Sequence, residues 1–120
     1  MKKLFGFMLI ILLLATIFTS DLYAQMTIKS SDVKVANAAV LARPGHFYGI
    51  EVITNGTDAV AVVVYDNASA AAGTVLFQGT VSGTSNFGGV LYVNPVEAMR
   101  GIYVTITGDG GSYIVYYRVR

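Results

Sequence analysis

One histidine, two glutamates and no cysteine leave this chain little with which to do chemistry. His46 would have to be the base of any Ser-His-Asp arrangement, because imidazole titrates near neutral pH without a special environment. It follows Arg43-Pro44-Gly45, so it is expected beside a turn, facing solvent or bonded to its own loop, rather than as a catalytic base. With a single His and no Cys, a zinc site of the ordinary kind lacks its ligands. Glycoside hydrolysis needs two carboxyl groups about 5–10 Å apart. Glu51 and Glu97 are the two glutamates available. Nothing in their spacing brings them together, and both are expected to be solvated at the surface.

Two acidic loops, Asp66-Asn67 and Gly108-Asp109, can offer oxygens to calcium, but neither has the dense alternating acids of a calcium loop. Turn chemistry accounts for both, because Asp and Asn side chains bond their own backbone. Asn55-Gly56-Thr57 and Asn67-Ala68-Ser69 match the glycosylation triplet, which matters only in a host that modifies it. No catalytic residue, metal or cofactor is expected. Eight Tyr and six Phe remain as potential binding surface. A ring offers an apolar face and, in Tyr, a hydroxyl that fixes orientation, although Tyr48, Tyr65, Tyr92, Tyr103, Tyr113, Tyr116 and Tyr117 all fall inside strand patterns where sheet packing explains them.

The elements that would position these residues are strands. Val35 to Ala42 reads as the first, closed by Arg43-Pro44-Gly45. Phe47 to Thr54 follows, and Asn55-Gly56 is a strong hairpin signal before Ala59 to Tyr65. In that strand both alternating sets, Val60/Val62/Val64 and Ala61/Val63/Tyr65, are apolar or aromatic, so cover on both faces is expected. Asp66 to Gly73 and Ser82 to Gly89 read as loops around a strand at Thr74 to Val81. Val90 to Val93 reads as a short strand, and Asn94-Pro95-Val96-Glu97 as a single helical turn with Asn94 as its cap. Ile102 to Thr107 and Ser112 to Arg118, joined by Gly108-Asp109-Gly110-Gly111, form the clearest pair, with Tyr113, Val115 and Tyr117 sharing a face. The count is seven strands, or eight if Met26 to Lys29 joins an edge. The expected fold is all-β: a single antiparallel β-sandwich, jelly-roll-like, after an N-terminal signal helix.

Residues 1–24 read as that signal peptide: Met1-Lys2-Lys3, an apolar run from Leu4 to Phe18, and Ala24 as the small residue before the cut. A membrane span wants about 20 apolar residues, so cleavage is favoured over a retained anchor, and no cysteine follows the run to carry a lipid. Residues 25–34 are expected as an extended N-terminal segment and residues 35–120 as the sandwich. The product is expected in the periplasm, on the cell surface or outside the cell, with no membrane attachment after cleavage. There Lys29, Lys34, Arg43, Arg100, Arg118 and Arg120 balance Asp32, Glu51, Asp58, Asp66, Glu97 and Asp109. That balance gives no basic excess for a nucleic acid. A disulfide-free exported domain must rely on its core, on neighbouring subunits, or on both. So few charges suit a surface packed against copies of itself or a partner.

The Pro-Gly turn followed by Phe47-Tyr48-Gly49-Ile50, then Val64-Tyr65-Asp66-Asn67 with the small-residue run to Gly73 and Thr74-Val75, then Gly101-Ile102-Tyr103-Val104 and Tyr113-Ile114-Val115-Tyr116-Tyr117-Arg118, resembles small β-sandwich proteins among tailed-phage virion components and related bacterial proteins. The resemblance covers nearly all of residues 35–118. It implies a jelly-roll-like sandwich that decorates or extends a larger particle through protein contacts. Export departs from that setting and favours a bacterial secreted or surface relative. The leading expectation is a secreted, non-catalytic structural or interaction module that associates with itself or another protein. The alternative is a module for a carbohydrate or cell-surface ligand, using Asn67, Asn86 and Phe87 beside exposed tyrosines.

Overall fold

A computed structural model describes residues 27–120; the leader expected over residues 1–24 lies outside the described residues. Eight strands follow in order: β1 Lys29–Ser30, β2 Ala38–Leu41, β3 Gly45–Ile53, β4 Val60–Tyr65, β5 Val75–Val81, β6 Phe87–Ala98, β7 Ile102–Thr107 and β8 Ser112–Val119. They form two four-stranded antiparallel sheets, β1-β8-β3-β6 and β2-β7-β4-β5. Apart from β4 and β5, each strand hands the chain to the facing sheet. This is the wiring of a jelly roll, and no helix occurs among the described residues.

The core follows from the two-residue period of strands. Phe47, Ile50 and Val52 of β3 and Tyr113 and Val115 of β8 meet Val60, Val62 and Val64 of β4, Ile102 and Val104 of β7, and Leu41 of β2. In β3 the inward set changes from odd to even numbers because Tyr48 is one residue more than β8 can match, so Phe47 pairs with Tyr117 and Gly49 with Tyr116. The first described segment lies along β8: Ser31 N–H donates to the Val115 carbonyl, and Lys34 and Tyr113 exchange both backbone hydrogen bonds. Where the chain then crosses between sheets, Tyr113 OH donates to Ala36 O at 3.0 Å and Ile106 N–H donates to Asn37 Oδ1 at 2.8 Å. These bonds pin the crossover to both layers.

Several expectations are corrected. Asn55-Gly56 does not close a hairpin: β3 and β4 lie in opposite sheets. Asn55 instead organises a bridging loop, its Oδ1 accepting from Thr57 and Asp58 N–H while Nδ2 donates to Asp58 and to the Asp109 carbonyl. Nor do β7 and β8 pair with each other; the glycine-rich turn between them spans the core. The helical turn over Asn94 to Glu97 is absent, because β6 continues as strand to Ala98 and also takes in Phe87 to Gly89 from the expected loop. Pro95 is tolerated there because β6 is an edge strand, where a missing N–H costs no ladder bond on the open side. In β4, Val60, Val62 and Val64 are buried, whereas Ala61, Val63 and Tyr65 stay half-exposed, so cover on both faces is incomplete among the described residues.

Candidate functional site

The outer face of the β1-β8-β3-β6 sheet carries the arrangement most able to bind something. Among the described residues strand β6 is its edge, hydrogen-bonded to β3 alone. Phe87, Leu91 and Val93 alternate with the inward Val90 and Tyr92, and are 70%, 72% and 96% exposed. Tyr92 packs edge-on against the core ring of Phe47, centroids 6.0 Å apart. That contact fixes the inward set and so commits the odd-numbered set to solvent.

Beside these residues lies an open groove of about 380 Å³ lined by Glu51, Phe87, Gly89, Leu91 and Tyr116, among others. Gly89 is part of its floor, and a second glycine, Gly49, lies next to it beneath Leu91. Gly89 lies opposite Glu51 and Gly49 opposite Leu91 in the β3–β6 ladder. Both have positive φ, +143° and +154°, and a Cβ on either would sit about 2 Å from a backbone carbonyl oxygen of the neighbouring strand. The strands approach so closely only because both side chains are missing, and the depression stays open above Gly89.

The polar group in the groove is a pair. Tyr116 OH donates to Glu51 Oε2 at 3.1 Å. The bond to Glu51 pushes the Tyr116 pKa up, with loss of hydration and the carboxylate's negative charge acting in the same direction. Phenol, carboxylate and the Phe87 ring thus share one wall-and-floor arrangement that can accept hydrogen bonds and stack against an apolar face.

Further along the same sheet face, His46 lies between Glu97 of β6 and Arg118 of β8 in the ladder. The structure places His46 within a strand and half-buried rather than in a loop, and its buried Nδ1 has no hydrogen-bond partner among the described residues. Among the described residues neither serine nor aspartate is hydrogen-bonded to its Nδ1. Glu97 pairs with Arg120 at 2.5 Å, both side chains about half exposed, an arrangement worth little in stability. The two glutamates are therefore on one face, but the four residues of β3 between their rows, His46 and Glu51, separate them by roughly 15 Å. That is too far for the paired carboxyls of a glycosidase.

The sequence-derived ligand residues fall in two places. Phe87 lines the groove, and Asn86 precedes it, its carbonyl accepting from Thr54 N–H at 3.0 Å. Asn67 belongs to the β4–β5 connection at the other end of the sandwich and is occupied by its own loop: Oδ1 accepts from Ser69 and Ala70 N–H, and Nδ2 donates to the Ala72 carbonyl. Asp66 accepts from Arg100 N–H at 2.7 Å. Among the described residues no three His, Cys, Asp or Glu side chains gather as a metal site. Leu91, Val93 and the Glu51–Tyr116 pair were not singled out from sequence. A seven-residue run in which both alternating sets are apolar or glycine gives no sign of which set faces water. No family model, curated protein or solved structure matches the chain, and nothing in those comparisons links it to tailed-phage virion components.

Proposed function

We propose that the protein is a non-catalytic interaction module that works after export by docking β6 and the adjoining groove against a protein surface, another copy of itself included. The observation that carries this reading is the exposure of Phe87, Leu91 and Val93 along a sheet edge that is unpaired among the described residues. Scattered exposed apolar side chains are ordinary, but a contiguous row beside a groove marks a contact surface. Open edges also offer a row of unpaired backbone donors and acceptors to an incoming strand. Sedimentation of the purified protein over a rising concentration series tests docking to a second copy. Self-association is the expected result, and a strictly monomeric particle at the highest concentrations contradicts that contact.

A second reading is favoured by one specific feature, the Glu51–Tyr116 pair facing the same groove as Phe87. A ring for stacking and a carboxylate and phenol for hydroxyl groups suit a saccharide. A glycan-array response lost in Glu51→Gln would favour this reading; no response with intact self-association would reject it.

A further inference from the structure

We infer that the partner of β6 is β6 of a second copy, paired antiparallel across a two-fold axis at Val90, so that the two outer sheets join into one continuous eight-stranded sheet. This rests on the interaction-module reading above and goes further by naming partner, strand and register.

The charge pattern selects a copy rather than a charged segment. From Phe87 to Val96 the strand has no ionisable side chain except the phenol of Tyr92. An identical strand therefore brings no like charge against it, whereas an acidic partner would meet only the Glu51 carboxylate in the adjoining groove. Native sheets normally blunt such an edge with Lys, Pro or a bulge. In β6 these devices begin only beyond Leu91: the ladder to β3 jumps from Leu91 to Val96, and Pro95 removes a donor. Phe87 to Val93 is left as an edge of roughly 23 Å.

Shape selects the register. In an antiparallel pair about Val90, Gly89 faces Leu91 of the other strand, Gly88 faces Tyr92, and Phe87 faces Val93. Each glycine is then opposite a large side chain. Leu91, which in the single chain lies over Gly49 of its own β3, turns outward to enter the other copy's depression above Gly89, and Phe87 and Val93 close the apolar row. Asn86 and Asn94 come opposite each other at the two ends, where amides can both donate and accept. Shifting the axis by one residue toward Gly89 places Gly89 against itself and leaves the depression empty, contrary to close packing. Shifting it toward Leu91 draws Pro95 into the ladder. The two-fold arrangement closes on itself and ends at a dimer. Its contact is at the small end of specific interfaces, so the dimer is expected to be concentration-dependent.

The chain has no cysteine, which makes the test clean. Leu91→Lys places two positive charges near the axis and is expected to weaken self-association at least about tenfold, with circular dichroism unchanged, and melting unchanged at concentrations where the wild type is monomeric, because the side chain is 72% exposed. Mixing Leu91→Lys with Leu91→Glu is expected to restore a heterodimer. Val90→Cys under mild oxidation is expected to give a covalent dimer, since the two sulfurs meet at the axis. If the wild type associates but Leu91→Lys associates equally well, or if Val90→Cys does not cross-link in that dimer, the β6 pairing is wrong while the interaction-module reading stands. A monomeric wild type overturns the β6 pairing and, with it, the self-association on which the interaction-module reading is tested.

Discussion

Gly49 on β3 lies opposite Leu91 on β6, and a Cβ on that glycine would come within 3.0 Å of both Cα and Cδ2 of Leu91 and within 2.1 Å of the Val90 carbonyl oxygen. The close approach of β6 and the lean of Leu91 over Gly49 thus depend on a hydrogen atom where every other residue has a carbon. Gly49→Ala is expected to destabilise the fold by about 2 kcal/mol or more, since the obstacle is backbone and φ is positive. Chemical denaturation of the two proteins measures this. A change below about 0.5 kcal/mol, the range of ordinary surface substitutions, would mean the two strands are not held that closely.

Tyr113 should make the protein sensitive to alkali. Burial, reinforced by nearby Tyr103, raises its pKa from 10.0 to about 12, so the folded state favours the neutral phenol. The stabilisation is complete below pH 10 and is lost as pH rises towards 12, because the unfolded chain ionises first. Tyr113→Phe removes the bond to the Ala36 carbonyl and is expected to cost about 1–2 kcal/mol at neutral pH. It should also flatten part of the alkaline loss. The remainder belongs in part to Tyr116, whose pKa is raised as well. Melting temperature against pH for the two proteins decides it, and parallel curves would count against a protected Tyr113.

The Glu51–Tyr116 bond has its own readout. Replacing Glu51 with Gln removes the carboxylate that holds the Tyr116 proton, so phenolate absorbance from Tyr116 should appear at lower pH than in the wild type. Spectrophotometric titration, with Tyr116→Phe identifying the signal, checks this. An unchanged titration would show that the two side chains are not bonded in solution.

Thr54 secures the start of β6. It is buried, and its hydroxyl donates to the Ser85 carbonyl at 2.5 Å while accepting from Gly56 N–H. Thr54→Val keeps the volume and leaves those groups without their partner, at an expected cost of about 1–3 kcal/mol. The connection at residues 82–86 should then exchange amide hydrogens and be cleaved by protease faster than the rest of the sandwich. Uniform rates would show that the hydroxyl does not secure that segment.

Strand positions were legible in the sequence because inward and outward residues differ in polarity, as in β7, where Ile102 and Val104 are buried and Tyr103 and Thr105 are partly exposed. Pairing was not legible. Asn55-Gly56 and Gly108-Asp109-Gly110-Gly111 announce a change of direction, but turn residues do not specify whether the next strand returns beside the last or packs across the core. The same limit concealed the groove. Gly49 and Gly89 come from strands far apart in sequence, and their effect exists only once the ladder brings them together. In β6 the outward Leu91 and Val93 are as apolar as the inward Val90 and Tyr92, so the alternation that marks an exposed face is missing.

The most direct test is sedimentation equilibrium of wild type, Leu91→Lys, Leu91→Glu and the mixture of the two variants. A reversible dimer for wild type, monomers for each variant alone and a dimer for the mixture are the expected results. Wild type that stays monomeric throughout the concentration range would contradict association through the β6 edge outright.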